Sequence, residues 1–200
     1  MKPKLSRVPH RKRQHIANDA LHVTLRLIDG LPNLRKQPEL ERITLAIEKA
    51  QERFGCRIIA FSVLRNHLHL TVEATNKEDL ARAMKGLLVR MVRALNRLWR
   101  RKGSIFLERY HAVALRGLQQ AHRTMRYVLN NARRHGLQVL KDLPDPFSSG
   151  PWFANWKERF GRPFRSDRSP VVEPRSRILQ LISKLPIGIN EVPGPWLLIG

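Results

Sequence analysis

Residues 56–74 read CRIIAFSVLRNHLHLTVEA. Two apolar runs flank a short polar break at Arg65-Asn66, the pattern of a tight β-hairpin. Side chains alternate along the second run, so Leu68, Leu70 and Val72 point to one face and His67, His69, Thr71 and Glu73 to the other. The first set is core material. The second places two imidazoles on next-but-one positions, about 6 to 7 Å apart at the backbone and close enough to converge on one metal ion. An isolated H-x-H pair is more often two exposed sheet histidines, so its meaning depends on what lies opposite.

Upstream of the hairpin, HVTLRLI (22–28) alternates as a strand with Val23, Leu25 and Leu27 inward, and the turn DGLPN follows. Pro38 opens a helix of about 16 residues, with Leu40, Ile43, Ile47 and Ala50 at helical spacing and Gly55 at its end. After the hairpin, Lys77 to about Trp99 forms a long helix with an apolar stripe through Leu80, Met84, Leu87, Leu88, Met91, Leu95 and Leu98. Gly103 and Ser104 break it, IFLERYHAVAL (105–115) gives a fourth strand, and a last helix covers about Gln119 to His135, stopped by Gly136. The order β-α-β-β-α-β plus a helix predicts an α+β, ferredoxin-like antiparallel sheet, covered on one face by two helices. The other face is left to carry a site, with the added helix laid against it.

On that added helix Tyr127 and Asn131 are four apart and share a face, which Arg123 and Arg134 extend, while Met125, Val128, Leu129 and Ala132 pack inward. A tyrosine on a half-buried helix is more often packing than a nucleophile. Its weight changes when the histidine pair and the charge are added. The chain carries 38 Lys and Arg against 16 Asp and Glu, a net charge of +22, which calls for a polyanionic partner, nucleic acid first. Arg90, Arg93, Arg97 and Arg100 recur on the outer face of the long helix, and with Arg101, Lys102, Arg123, Arg133 and Arg134 they form the candidate DNA-binding surface. A solvated helix face is the plainer reading of that row, but little acidic compensation lies nearby.

No stretch approaches the roughly 18 apolar residues of a spanning helix, so no membrane partner is expected. The basic N-terminus has no apolar segment behind it, and a single cysteine, Cys56, fits a reducing compartment. A cytoplasmic, nucleoid-associated location is the expectation. Residues 1–18 read as a basic arm, 19–143 as the folded domain, and 144–200 as an extension holding nine of the thirteen prolines and three of the four tryptophans. Within that extension RILQLISKL suits a short amphipathic helix.

NHLHLTVEA resembles the HUH signature of the IS200-like, single-tyrosine transposases, and YVLNNARRHG resembles their tyrosine-bearing helix. The similarity is closest to the REP-associated branch, in which an asparagine follows the tyrosine by four residues, and it spans roughly residues 18–136. HVTLRLIDGLPNLR and RYHAVAL also look like segments of that group. The resemblance implies that His67 and His69 are paired metal ligands, that Asn131 stands where the family supplies a third metal-binding side chain, and that Tyr127 is the nucleophile. It further implies Mg2+ or Mn2+ as cofactor, although two histidines would also accept Zn2+. The implied substrate is single-stranded DNA with hairpin structure, cleaved through a covalent 5′-phosphotyrosine and rejoined by a monomer or homodimer.

Tyr110 is the one rival tyrosine, beside His111 on the fourth strand, where packing is the simpler role. His111 reads as a spare ligand or DNA contact and His22 as a strand-end residue; neither enters the catalytic set. Two other readings compete: a non-catalytic DNA- or RNA-binding protein on the same fold, and a basic ribosome-associated protein. The first has no need to place two histidines and a tyrosine together, and the second rests on charge alone.

Overall fold

The structure is a computed structural model that describes residues 19–137, 142–158, 169–189 and 191. The basic arm expected over residues 1–18 lies outside them. Four strands, β1 (Asp19–Arg26), β2 (Cys56–Val63), β3 (His67–Ala74) and β4 (His111–Ala114), form one sheet in the order β2-β3-β1-β4, antiparallel throughout. Helices α1 (Gln37–Glu48) and α2 (Lys77–Leu98) pack against one another on one face. The α+β, ferredoxin-like arrangement read from the sequence is the one observed.

Alternation explains the main core. Val23, Leu25 and Leu27 of the first strand region, Leu68, Leu70 and Val72 of β3, and Leu80, Met84, Leu87, Met91 and Leu95 of α2 are all buried in one cluster with α1. Asn76 caps α2 by accepting the Asp79 N–H at 2.8 Å, and Glu78 and Asp79 sit in the first turn where the helix dipole favours negative charge. Tyr110 belongs to this core at 6% exposure, which makes it a packing residue.

Helix α3 (Gly117–Arg134) lies on the opposite face, over β2 and β3. A bulge prepares that face: Ile58 pairs with Val72 and Ala60 with Thr71, so Ile59 is the extra residue. Ile58 joins the main core, whereas Ile59 and Ala60 both join a second cluster with Ala121, Met125, Val128 and Leu129 of α3. α4 (Arg177–Ser183), the short helix expected in RILQLISKL, packs on α3 through Leu179 and Ile182.

Three boundaries differ from expectation. α1 stops at Glu48, seven residues before Gly55, because the chain reverses through Glu52 and Phe54 in left-handed conformation and Gln51 turns its amide onto Ile58. The fourth strand is split: Phe106 bridges Leu27, then pairing resumes at His111 opposite Thr24. The Leu107 N–H still donates to the Arg26 carbonyl at 2.9 Å, and residues 108–110 then leave the ladder. The C-terminal segment also borders the sheet, since Ser148 bridges Ser62 and Phe147 and Ser149 exchange backbone hydrogen bonds with Val63 and Phe61. This covers the edge of β2. No helix of the described residues is long and apolar enough to cross a membrane.

Candidate active site

Antiparallel register sets the site. Thr24 lies opposite His69, His22 opposite Thr71 and Arg26 opposite His67, so all six side chains share the face under α3. The rings of His67 and His69 are 4.9 Å apart between centroids, and the Tyr127 ring stands edge-on to His69 at 5.2 Å. The structure therefore brings the histidine pair and the tyrosine together, from elements 58 to 60 residues apart in the chain.

Each histidine has one nitrogen engaged. His67 Nδ1 is 2.8 Å from the Asn66 amide oxygen, which can only accept, so Nδ1 carries the proton and Nε2 holds the lone pair. His69 Nδ1 is 3.0 Å from His22 Nε2 and 3.2 Å from the Thr24 hydroxyl, while His69 Nε2 is buried with no hydrogen-bond partner. Burial pushes the His67 imidazole down to about 4, helped by the positive charges of His135 and Arg26, and holds His69 well below its usual range. Both rings are neutral at pH 7, the form a metal needs.

Asn131 is fully buried, one turn after Tyr127 on α3. Neither atom of its amide makes a hydrogen bond of good geometry, yet it is near enough to Tyr127 to favour the phenolate. The neighbouring Asn130 plays a different part, since its amide donates to the Gly188 carbonyl at 3.1 Å and ties α3 to the C-terminal segment. Burial raises the Tyr127 phenol above its ordinary value, opposed by Arg134, whose guanidinium lies 5.6 Å over the tyrosine ring, and by Asn131.

The donor set fits a divalent cation. The Nε2 of His69 and the amide oxygen of Asn131 are buried lone-pair donors without a hydrogen bond of good geometry, which burial alone would penalise, and His67 adds a second Nε2 lone pair beside them. Among the described residues no three His, Cys, Asp or Glu side chains group to hold a metal, so the candidate set is two imidazoles and an amide. Beside His67 a cavity of about 250 Å3 is lined by Leu64, Arg65, Asn66, His67, His135 and Leu137.

The basic residues divide between two layers. Arg123 and Arg134 are exposed on the tyrosine helix; Arg133 is half-buried and donates to the Leu143 carbonyl at 3.4 Å. Arg90, Arg93, Arg97 and Arg100, with Arg101 and Lys102 just beyond, belong to α2 and its end, on the other side of the sheet. The structure does not bring that row to the histidines. Arg90 bonds the Gly86 carbonyl, Arg101 bonds Asn96 and the Ser104 carbonyl, and Arg93, Arg97, Arg100 and Lys102 are exposed.

Two further histidines join the site beyond those that spacing picks out. His22 is not a strand-end residue: it sits within β1, stacked on His69 at 5.0 Å and edge-on to Tyr127 at 5.8 Å. The alternation that sends Val23 inward sends His22 to the site face, and the strand order puts it beside β3. His135, just after α3, faces His67 at 5.9 Å. His111 is exposed on β4, opposite Thr24, and its charge helps to lower His22.

Comparison with known proteins agrees with this geometry. The sequence model of one family, described as "Transposase IS200 like", matches residues 19–131, which hold the sheet and all of α3 through Asn131. No curated protein matches the chain. A solved structure described as the "REP associates tyrosine transposase bound to a REP hairpin" superimposes with a TM-score of 0.56 over 71% of this chain and 82% of that one, at 20% identity. At that identity the likeness speaks for the fold. With more than half of its length matched by the family, from the first strand to the asparagine beside the candidate nucleophile, the chain belongs to the IS200-like transposases.

Proposed function

We propose that the protein is a metal-dependent enzyme that nicks and rejoins hairpin-containing single-stranded DNA, with Tyr127 as nucleophile and His67, His69 and Asn131 holding Mg2+ or Mn2+. The observation that carries this reading is the buried, unpartnered Nε2 of His69 with the Tyr127 ring edge-on beside it. The net charge of +22 and the hairpin bound by the structural neighbour support a DNA substrate.

Tyr127 Oη attacks the phosphorus, its proton leaves as the O–P bond forms, and the P–O3′ bond breaks. The O3′ takes up a proton, giving a 5′-phosphotyrosine and a free 3′-OH. A bound divalent cation would stabilise negative charge developing on the phosphate oxygens. His67 and His69 meet it as neutral bases because burial keeps both unprotonated. Arg134 and Asn131 offset part of the burial that disfavours the phenolate. Because the phosphotyrosine conserves the bond, attack by another 3′-OH rejoins the strand and restores Tyr127 without a nucleotide cofactor.

Arg123 and Arg134, exposed on the same helix, would meet phosphates beside the nucleophile. The α2 row would meet DNA only where the substrate extends to the other layer. The test is to incubate labelled hairpin DNA with the protein and Mn2+, with and without chelator. Metal-dependent cleavage that Tyr127→Phe and His67→Ala abolish is the expected result. Tight DNA binding with no cleavage of any hairpin in a varied set would instead make the protein a binding module.

A further inference from the structure

His22 has a place in this site that neither the resemblance nor the proposed chemistry assigns. Its Nε2 lies 3.0 Å from His69 Nδ1, closer than the Thr24 hydroxyl at 3.2 Å, and the two rings stack at 5.0 Å with planes 25° apart. A neutral imidazole carries one N–H, so one of these two rings donates and the other accepts. His69 Nε2 is buried without a hydrogen-bond partner. A proton there would be an unsatisfied buried donor, whereas a proton on Nδ1 meets two acceptors at once.

We infer that His22 is a positioning residue: it accepts the Nδ1–H of His69 and so fixes the tautomer and orientation that leave His69 Nε2 free to bind a cation. Asn66 does the same for His67, its amide oxygen accepting the Nδ1–H at 2.8 Å. Two ligands thus receive outer partners of different chemistry, one an amide on the hairpin turn and the other an imidazole on the neighbouring strand. Partners of this kind orient the ring and raise its basicity toward a metal. Stacking adds a second constraint, because a ring packed flat against another cannot rotate without losing contact.

The inference rests on the metal-binding reading, so its test separates the two. Long-range nitrogen–proton NMR of the metal-free full chain reads the His69 tautomer, and Mn2+ titration followed by electron paramagnetic resonance reads affinity. In wild type the proton should reside on Nδ1. His22→Leu should move the His69 population toward the Nε2–H tautomer and weaken Mn2+ binding about 10- to 100-fold. His22→Gln, which restores an acceptor of similar reach, should recover most of both and also guards against a folding defect in the leucine variant. An Nε2–H tautomer in wild type, or wild-type tautomer and Mn2+ affinity in His22→Leu, would overturn the inference. A tautomer that responds to His22→Leu in a wild-type protein that binds no Mn2+ would uphold the positioning role and overturn the metal reading instead.

Discussion

Asp145→Ala is expected to be among the most destabilising single changes in this protein. Asp145 is 1% and Arg35 6% exposed at the side chain, and the two meet through paired hydrogen bonds of 2.7 and 2.8 Å. The same guanidinium donates to the Val63 carbonyl at 2.9 Å and the Leu137 carbonyl at 3.2 Å, and lies 4.5 Å over the Phe147 ring. It joins the end of β2, the chain leaving α3 and the segment that covers the sheet edge. Removing the carboxylate strands a buried cation with two of its donor groups unpaired, a loss of about 3 to 5 kcal/mol. Against a typical domain stability of about 5 to 15 kcal/mol, that is a large fraction. Replacing both partners, Arg35→Met with Asp145→Leu, removes the stranded charge but leaves the two carbonyls without donors, at about 1 to 3 kcal/mol each if water does not reach them. Urea unfolding of the four proteins of the cycle measures the coupling directly. A loss below about 1 kcal/mol for Asp145→Ala would show that the pair is solvated and that the clamp is not what joins these segments.

Acid should destabilise the fold through the site itself. His22 and His67 are held down to about 4 by burial, against 6.5 in the unfolded chain, so between those values the unfolded state binds more protons. Their stability contribution is complete above pH 6.5 and is lost as pH falls toward 4, up to about 3 kcal/mol for the deeply buried His22 and less for the part-exposed His67, which solvent screens, with less than additive totals because both rings pack against His69. Urea midpoints between pH 7.5 and 4.5 should therefore fall, and His67→Gln should flatten the slope; equal slopes in both proteins would contradict the assignment. The adjacent asparagines should separate stability from chemistry. Asn130→Ala should cost about 1 kcal/mol by orphaning the Gly188 carbonyl while cleavage persists. Asn131→Ala should leave the unfolding midpoint unchanged or raised and weaken Mn2+ binding, as a titration of both variants would reveal.

Local pattern made much of this molecule legible. β3 has the bounds that its alternation implies, His67–Ala74, and α3 presents Tyr127 on the face that spacing assigns. His22 was within reach of the same logic, since the alternation that buries Val23 turns its neighbour toward the site; what hid it was reading β1 alone instead of beside β3. The Ile59 bulge was not legible, because register is decided by both strands and by the helix that packs on the bulged residues. Nor was the Arg35–Asp145 clamp, whose partners are 110 residues apart and belong to no periodic pattern. The two asparagines illustrate the boundary: spacing favoured Asn131 for the site, but only the contact with Gly188 shows what Asn130 does.

The proposed chemistry joins Tyr127 covalently to DNA. The chain has two tyrosines, and cleavage after arginine puts them in separate peptides, YVLNNAR for 127–133 and YHAVALR for 110–116. The most direct measurement is mass spectrometry of tryptic peptides after reaction with hairpin DNA and Mn2+, followed by nuclease trimming of the attached strand. A 5′-linked nucleotide on YVLNNAR, absent with chelator and absent in Tyr127→Phe, is the expected result. DNA cleavage with neither peptide modified, or with the adduct on Tyr110, would contradict it.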